Sequence, residues 1–392
     1  MLKRHCHRTS TITTLPSSLL SQCVSFHHPD QATIRLVCRT FRDICLLSTS
    51  TPPLLVIHCD HINSHPSRNT WTSRYLEHHY RHIYELHLRE CEIINDKLRD
   101  ILAEKWCLLQ NRRLYMVRDY ALNTHRDQHP HMRTILNYAT SMVITSVIHP
   151  RESMVAPYTL DHSRLEYLKV YRYPIELHTH DMLVRCTFLT KLDVQLTYFA
   201  NLKMLLPVVH QLTFLSFEVN QPDLPSPATL GSFLDQLVAC RHLRVGARSI
   251  EAHMYVLSRV PVAERIDLTF WHNGIYDEER LFSLATACKI RSEKLHTLCV
   301  RQSDMTRELM YLILGTIVRA SPHVAIHTFL LDNCVTNLMV DWSHMAWFLH
   351  LKRVHVKQAA CGQGSNVSKD AIDHMRGQLI RVCGVFEQVI VE

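Results

Sequence analysis

Histidine is unusually frequent in this chain, and it is the residue type that could most readily bind a metal or transfer a proton. There are 29 histidines in 392 residues. His78 and His82 would share a helix face at a spacing of four residues, which can supply two ligands to a metal ion. No run of cysteines or carboxylates converges on this pair in the sequence, so solvated loop histidines are the favoured interpretation. A surface whose charge responds to pH is the second hypothesis, because histidine titrates near neutrality.

Other signatures of catalysis are weak. The tightest glycine pair, Gly362-Gln-Gly364, lacks the third glycine of a dinucleotide fingerprint and the Gly-Lys-Ser/Thr of a P-loop. Neither G-x-S-x-G nor H-E-x-x-H occurs. The sequence therefore predicts no catalytic residue, no cofactor and no metal. A diverged α/β enzyme stays open as an alternative.

Composition favours a globular protein in a reducing compartment. The 14 cysteines are scattered without a C-x-x-C pair, which indicates reduced and mostly buried thiols in a cytoplasmic or nuclear protein. The net charge of +7 is spread along the chain rather than gathered in one basic run, which argues against nucleic acid as the partner. No apolar stretch has the length of a bilayer span, so no membrane association is expected.

A recurring unit, L-x-x-L-x-L, predicts the strands that would position any functional residue. Ile, Val or Phe can replace Leu in this unit. Six copies are clear, and they begin at Ile83, Leu165, Leu189, Leu212, Leu295 and Leu351. Three weaker copies begin at Ala263, Ile326 and Phe386. Four of the spacings between successive copies are 24, 23, 31 and 25 residues, near the period of leucine-rich repeats.

Helical patterns lie between these predicted strands. Residues 96–109 and 304–318 both begin with an acidic residue and continue with apolar residues three or four apart. Leu54-Leu55-Val56-Ile57 is expected to form a first strand. A doubly wound α/β domain is the alternative, but it would need longer apolar strands and a glycine-rich first turn.

These units resemble the cysteine-containing leucine-rich repeats. In that family the strand is followed by Cys or Asn and then an I-x-D step into the helix, which Leu88-Arg-Glu-Cys91 and Ile94-Asn-Asp96 follow closely. The resemblance is weak over 111–160 and 240–262, where the sequence does not fix the strand register. It implies an α/β solenoid with a curved parallel sheet inside and helices outside.

A short helical module precedes the repeats. Leu19, Leu20, Cys23 and Val24 have helical apolar spacing after Pro16, and a second apolar set follows Pro29. Two or three helices in about 30 residues are too few to be comfortably stable alone, so the module needs a partner or a neighbouring domain.

This module resembles the F-box. Its elements are Leu15-Pro16, Leu19-Leu20, Pro29-Asp30 and Val37-Cys38-Arg39-Thr40-Phe41-Arg42, in the family's order and near its N-terminal position. His27 replaces the usual Leu, and one residue is missing between Pro29 and Val37. The resemblance implies that the module packs on the Skp adaptor of a Skp–cullin–F-box ubiquitin ligase through Leu15, Pro16, Leu19, Leu20, Val37, Cys38 and Phe41. The expected domains are a tail over 1–14, the F-box over 15–50 and a degenerate repeat array over 51–392.

The second binding surface would be the concave sheet face. In an L-x-x-L-x-L strand the leucines point inward and the intervening side chains point to that face. The predicted exposed row comprises Tyr167, Lys169, Tyr171, Lys191, Asp193, Phe214, Ser216, Glu218, Arg265, Asp267, Trp271, Arg301, Arg353, His355 and Lys357. Its aromatic and basic members suit an acidic or phosphorylated protein target. The alternative is a solvated face that only keeps the protein soluble.

The combined expectation is a non-enzymatic substrate-recognition subunit. The F-box would bind the adaptor, and the repeat array would hold a target protein near a ubiquitin-loaded enzyme, so that proximity is its contribution to the reaction. A ligase-independent protein-binding scaffold is the alternative.

Overall fold

The computed structural model describes fifteen segments and one isolated pair of residues along the chain. They are 54–58, 73–74, 76–78, 80–89, 96–109, 112–118, 130–144, 163–170, 182–196, 198–219, 227–270, 278–301, 307–332, 348–357, 369–383 and 388–391. Contacts within the chain divide it into two units, Met1–Leu165 and Glu166–Glu392. The predicted adaptor-binding residues, all of which fall within 15–41, lie outside the described residues.

The described residues of the first unit contain four parallel strands that pair in chain order. They are β1 (Leu54–His58), β2 (Glu85–Arg89), β3 (Arg113–Arg118) and β4 (Ser141–Ile144). Its helical segments are a 3₁₀ turn (Tyr80–His82), α1 (Asp96–Ile101), which continues as a π turn (Leu102–Trp106), and α2 (Pro130–Tyr138). Trp106 is fully buried and donates its indole N–H to the carbonyl of Ile83 at 3.0 Å, which ties the π turn to the start of β2.

In the part of the second unit that the structure describes there are nine strands, again parallel and paired in chain order. They are β5 (Tyr167–Val170), β6 (Lys191–Leu196), β7 (Phe214–Val219), β8 (His242–Ala247), β9 (Arg265–Phe270), β10 (Thr297–Arg301), β11 (Thr328–Asp332), β12 (Arg353–Lys357) and β13 (Gln388–Val391). Parallel neighbours cannot be joined by a hairpin, so each pair needs a crossover segment.

Helices and 3₁₀ segments supply many of these crossovers. They are the 3₁₀ segments Phe199–Leu205 and Val209–Gln211, α3 (Pro227–Asp235), α4 (Ile250–Arg259), α5 (Glu278–Ala287), α6 (Arg307–Arg319) and α7 (Lys369–Cys383). Ser249 caps α4, because its hydroxyl accepts a hydrogen bond from the backbone N–H of Ala252. Within the described residues, no helix combines the length and apolarity that a bilayer crossing would need.

One backbone hydrogen bond recurs at the same position from repeat to repeat. The first residue of a strand donates its N–H to the carbonyl that immediately precedes the previous strand, as Lys191 does to Glu166 and Thr297 does to Glu264. The equivalent bonds start from Arg113, Phe214, His242, Arg265, Thr328 and Arg353. Each of the two units is therefore a stack of equivalent repeats in sequence order, with the leucine-rich-repeat fold that the recurring L-x-x-L-x-L unit predicts.

The leucine positions of the repeat form the core. In β6 the buried residues Leu192, Val194 and Leu196 alternate with less buried ones, and the leucine that opens the motif, Leu189, is also buried. The crossover segments cover this side of the sheet, as shown by the edge-to-face contact of Phe217 in β7 with Phe233 in α3. Burial of one such side chain contributes about 1.5–3 kcal/mol to the free energy of unfolding, so these buried rows of apolar side chains supply most of the stability. The opposite side of the second unit's sheet is called the open face below.

Candidate functional site on the open face

The predicted target-binding residues within the described chain all lie on the open face. Tyr167 pairs in register with Lys191, and Lys169 pairs with Asp193 one step further along the same two strands. Arg265, Arg301 and Arg353 occupy the same side of β9, β10 and β12. Tyr171 and Trp271 lie outside the described residues. The arrangement brings Arg265 and Arg301 together, whereas Tyr167, Lys169, Lys191 and Asp193 form a separate group on the first two strands.

Asp267, in the middle of β9, organises the centre of this face. Its side chain is 0% exposed, and it accepts hydrogen bonds from Arg265 Nε at 2.7 Å and from Arg301 Nε at 3.1 Å. Nε2 of His242 lies 3.1 Å from Asp267 Oδ2, and Nε of Arg244 lies 3.5 Å from the same oxygen. One buried carboxylate is therefore shared by side chains from three neighbouring strands.

The prediction that Asp267 and Ser216 are exposed is wrong. Both are buried, although both lie on the open face. Asp267 is covered because four longer side chains converge on its carboxylate, so the alternation of the strand gives its direction but not its exposure. The residues that face outward here are the cations around it, and Arg301 keeps 25% of its side chain exposed.

The positive charges around Asp267 affect the pKa of its carboxyl group. Burial acts to raise its pKa, but hydrogen bonds from His242 and Arg265 and the charges of both outweigh burial and hold the pKa well below its usual value. Burial alone would lower the pKa of Arg265, and its bonds to Asp267 raise it instead. Asp267 is therefore ionised at neutral pH, and it orders the guanidinium groups that surround it.

Two further side chains complete the centre. Arg301 also donates through Nη1 to the carboxylate of Asp332 in β11. The guanidinium of Arg244 lies 5.8 Å from the centroid of the Phe214 ring, and that ring meets the imidazole of His242 edge-on at 4.8 Å. Phe214 is thus an apolar platform beside the guanidinium and imidazole groups.

The neighbouring strands β6 and β7 carry acidic groups. Lys169 Nζ lies 2.9 Å from Asp193 Oδ2, and Gln195 donates to Glu218 at 3.2 Å. Burial raises the pKa of Glu218, and the nearby charge of Asp193 raises it further, although the hydrogen bond from Gln195 and the nearby Arg244 and Lys169 lower it. Gly246 makes room for Glu218, because a Cβ there would lie 2.9 Å from the Glu218 Cγ. The open face therefore carries charges of both signs at β6 and β7, from Lys191, Asp193 and Glu218, and is mainly basic at β8 to β10.

His242 and Arg244 were missed by the sequence interpretation because β8 was not recognised as a repeat strand. Its motif is Cys240-Arg-His-Leu243-Arg-Val245, in which a fully buried cysteine takes the place of the opening leucine. A search that allowed Cys at that position would have found both residues, because His242 and Arg244 directly flank the buried Leu243 and so point to the outward side. Asp332 was missed because the predicted row included no residue from the weaker copy that begins at Ile326.

The described cysteines and histidines form no further reactive centre. Cys107, Cys186, Cys240, Cys288 and Cys299 are buried and unbridged, as the sequence predicts for reduced thiols. Burial raises the pKa of Cys240 and Cys299 to about 12, so neither is a thiolate nucleophile. In the parts of the chain that the structure describes, no group of three or more His, Cys, Asp or Glu residues is placed to hold a metal ion.

Comparison with known proteins finds similarity among solved structures alone. No family model matches the sequence, and the search of curated proteins finds no significant relative. Among solved structures, the chain is similar to the leucine-rich repeat-containing protein LegL7 from Legionella pneumophila, with 12% identity and a TM-score of 0.45. The similarity covers 70% of this chain and 89% of that one. At this TM-score the likeness does not bear on function.

Proposed function

We propose that the chain is a non-enzymatic substrate-recognition subunit of a Skp–cullin–F-box ubiquitin ligase. In this proposal the open face of the second unit binds a target protein, residues 15–50 bind the Skp adaptor, and the assembly works in the cytoplasm or nucleus. The observation that carries the target-binding half is the ordered charged network around Asp267, which joins three strands on the side of the sheet that the crossover segments leave free.

Physical reasons support binding rather than catalysis on this face. Arginine and aromatic side chains dominate binding hot spots, and here Arg244 lies beside Phe214. Hydrogen bonds or ion pairs with Asp267 hold Arg244, Arg265 and Arg301 in place before any partner binds. Ordering these side chains in advance lowers the entropy cost of binding.

The target-binding half is tested by a charge reversal with a matched control. Lys191→Glu changes an exposed open-face residue at the start of β6, and Lys203→Glu makes the same change at an exposed position in the crossover segment after that strand. Cells expressing the tagged full chain are treated with a short crosslinker, and the recovered proteins are compared. We expect Lys191→Glu to lose target proteins that Lys203→Glu retains. Equal recovery by both variants would contradict the assignment.

The adaptor-binding half is tested in the same cells by Leu19→Ala combined with Leu20→Ala. We expect this double variant to lose the Skp adaptor and keep the target, and Lys191→Glu to do the reverse. If the natural chain never recovers a Skp adaptor but still binds its target through the open face, the ligase assignment fails. The ligase-independent scaffold is then the correct function.

A further inference from the structure

A cavity opens between the last turn of α6 and the segment that leads into β12. Its lining includes Val318, Val324, Ile326 and Phe348, which are between 1% and 6% exposed. The volume of the cavity is about 200 Å³. This is less than the roughly 300–1,000 Å³ of a pocket that encloses a whole small molecule, so the cavity fits one large apolar side chain.

The walls of this cavity are fixed in place before any ligand binds. Ser321, in the loop after α6, accepts a hydrogen bond from the backbone N–H of Ile290 at 2.8 Å and donates one to the carbonyl of Ile317 at 2.8 Å. On the other side, the ring of Phe348 packs on the ring of Phe329 in β11, with 5.4 Å between the ring centroids. A site that is ordered in advance costs less entropy to occupy.

Exposed residues at the mouth of the cavity provide an apolar contact and positive charge. Leu349 lines the cavity and is 81% exposed. Arg319 and His350 also line it, and both are exposed. No Asp or Glu occurs in 318–327 or 348–352, the two segments that supply the lining. The mouth is therefore apolar on one side and basic on the other, without a carboxylate of its own.

The neighbouring loop over 288–296 does not reverse the sign of this charge. It packs on the first lining segment, because Nε2 of His323 lies 2.8 Å from the carbonyl of Ile290. The charged residues of this loop are Lys289, Arg291, Glu293 and Lys294, and Asp235 of α3 pairs with Arg291 and Arg259. Among these described residues the cations outnumber the carboxylates, so the surroundings of the cavity attract an anionic ligand.

We propose that this cavity binds a short acidic segment of a partner protein through one large apolar side chain, with the carboxylates of the segment facing Arg319 and His350. An apolar anchor that fills a pocket supplies affinity, and complementary charges around it supply specificity. The lining residues directly precede β11 and β12, so the site lies at the edge of the sheet where the strands begin. It is separate from the open face and does not depend on target binding there.

The shape of the site favours a peptide over a membrane surface. A protein segment that docks on a bilayer directs its own apolar side chains outward into the lipid. Here the buried residues Val318, Val324, Ile326 and Phe348 line a recess, which instead receives an apolar group from the ligand. Leu349 at the mouth then contacts the outer part of the inserted side chain.

The test measures retention of the purified full chain on three immobilised peptide libraries. In the first library a central leucine or phenylalanine is flanked by aspartate and glutamate, and the remaining positions are random. The second library has serine at the centre, and the third has lysine in place of the acidic flanks. We expect the first library to retain the chain about tenfold more strongly than either of the others, because the apolar anchor and the acidic flanks both contribute.

Two variants with matched controls locate the binding site. Leu349→Ala removes the apolar residue at the mouth, and Val238→Ala shortens another exposed apolar residue that also lies four positions before a strand. His350→Glu places a carboxylate at the mouth, and His210→Glu does so at an exposed position before β7. We expect Leu349→Ala to weaken retention on the first library by about fivefold and His350→Glu by about tenfold, with both controls within about twofold of the natural chain. Circular dichroism verifies that each variant is folded.

Equal retention on the three libraries would overturn the inference, and so would retention of either mouth variant that matches its control. Vesicles of phosphatidylcholine and phosphatidylserine test the alternative occupant. Sedimentation of the chain with these vesicles, without retention on the first peptide library, would overturn peptide binding in favour of a membrane surface. Each of these outcomes concerns the cavity alone and leaves the assignment of the open face intact.

Discussion

Replacing Asp267 with asparagine is the most informative perturbation of the second unit. The substitution keeps the size of the side chain and removes the charge that Arg265 and Arg301 share, at a position that is 0% exposed. The amide oxygen can still accept from one guanidinium. The amide N–H groups of the new asparagine then face the N–H donors of the second guanidinium, which is left without an acceptor.

The expected loss follows from the burial of the carboxylate and the partial exposure of its partners. Removing one partner of a fully buried ion pair costs about 3–5 kcal/mol, because the remaining charge is left without compensation. Here the arginines are between 25% and 32% exposed, so solvent recovers part of that loss. We expect Asp267→Asn to lower the free energy of unfolding by about 3 kcal/mol, toward the lower end of that range.

Asp193→Asn is the matched control, because Asp193 stands at the equivalent position of β6 and pairs with Lys169 at 2.9 Å. Among the described residues, Lys169 is the one cation that pairs with Asp193, whereas four side chains converge on Asp267, so a loss of about 1 kcal/mol is expected. Urea unfolding of the full chain at pH 7, followed by circular dichroism, measures both differences. A loss of stability for Asp267→Asn no larger than that for Asp193→Asn would refute the view that Asp267 holds the surrounding arginine side chains together.

Three further predictions concern burial and charge in the same unit. Burial lowers the pKa of His253 to about 4, although backbone carbonyls near its ring nitrogens act to raise it. As the pH falls, this imidazole is therefore protonated near pH 6.5 in the unfolded chain but stays neutral in the folded chain. Stability should therefore fall by up to about 3 kcal/mol between pH 6.5 and pH 4, and the urea midpoint of His253→Gln should depend less on pH over that window. Burial raises the pKa of Glu218 and disfavours its charge, so Glu218→Gln should raise the melting temperature at pH 7.5 and leave it nearly unchanged at pH 4. Leu298→Ala, at a core position that is 1% exposed, should cost about 3 kcal/mol in urea unfolding, whereas Leu349→Ala, at an 81% exposed position, should change stability by less than about 0.5 kcal/mol.

The sequence was sufficient to locate every strand whose L-x-x-L-x-L motif opens with a large apolar residue. It also located β9, whose motif opens with the small residue Ala263 but continues with Ile266 and Leu268. It was not sufficient for β3, β4 and β8. Their opening positions are Asn111, Ala139 and Cys240, which a leucine pattern does not recognise. In the folded chain, β8 takes its alignment from β7 through the same backbone hydrogen bond as the other repeats, because His242 donates its N–H to the carbonyl of Thr213.

The open face was predictable in position but not in detail. Period-two alternation placed Lys169, Asp193, Arg265 and Arg301 on one side of the sheet, and the structure has them there. The contact of Arg301 with Asp267 joins residues 34 positions apart, and it depends on the in-register pairing of β9 with β10. This in-register pairing depends on the length of each crossover segment, which no local pattern of residues encodes.

Lysine footprinting tests the central claim, that the open face holds the target, most directly. The full chain is acetylated briefly, alone and in complex with its captured target, and the modification of Lys191 and Lys203 is compared by mass spectrometry. Both lysines are exposed in the chain alone, one on the open face and the other in the following crossover segment. We predict that the target lowers the modification of Lys191 several-fold and leaves Lys203 unchanged. Protection of Lys203 with Lys191 still fully reactive would contradict the claim.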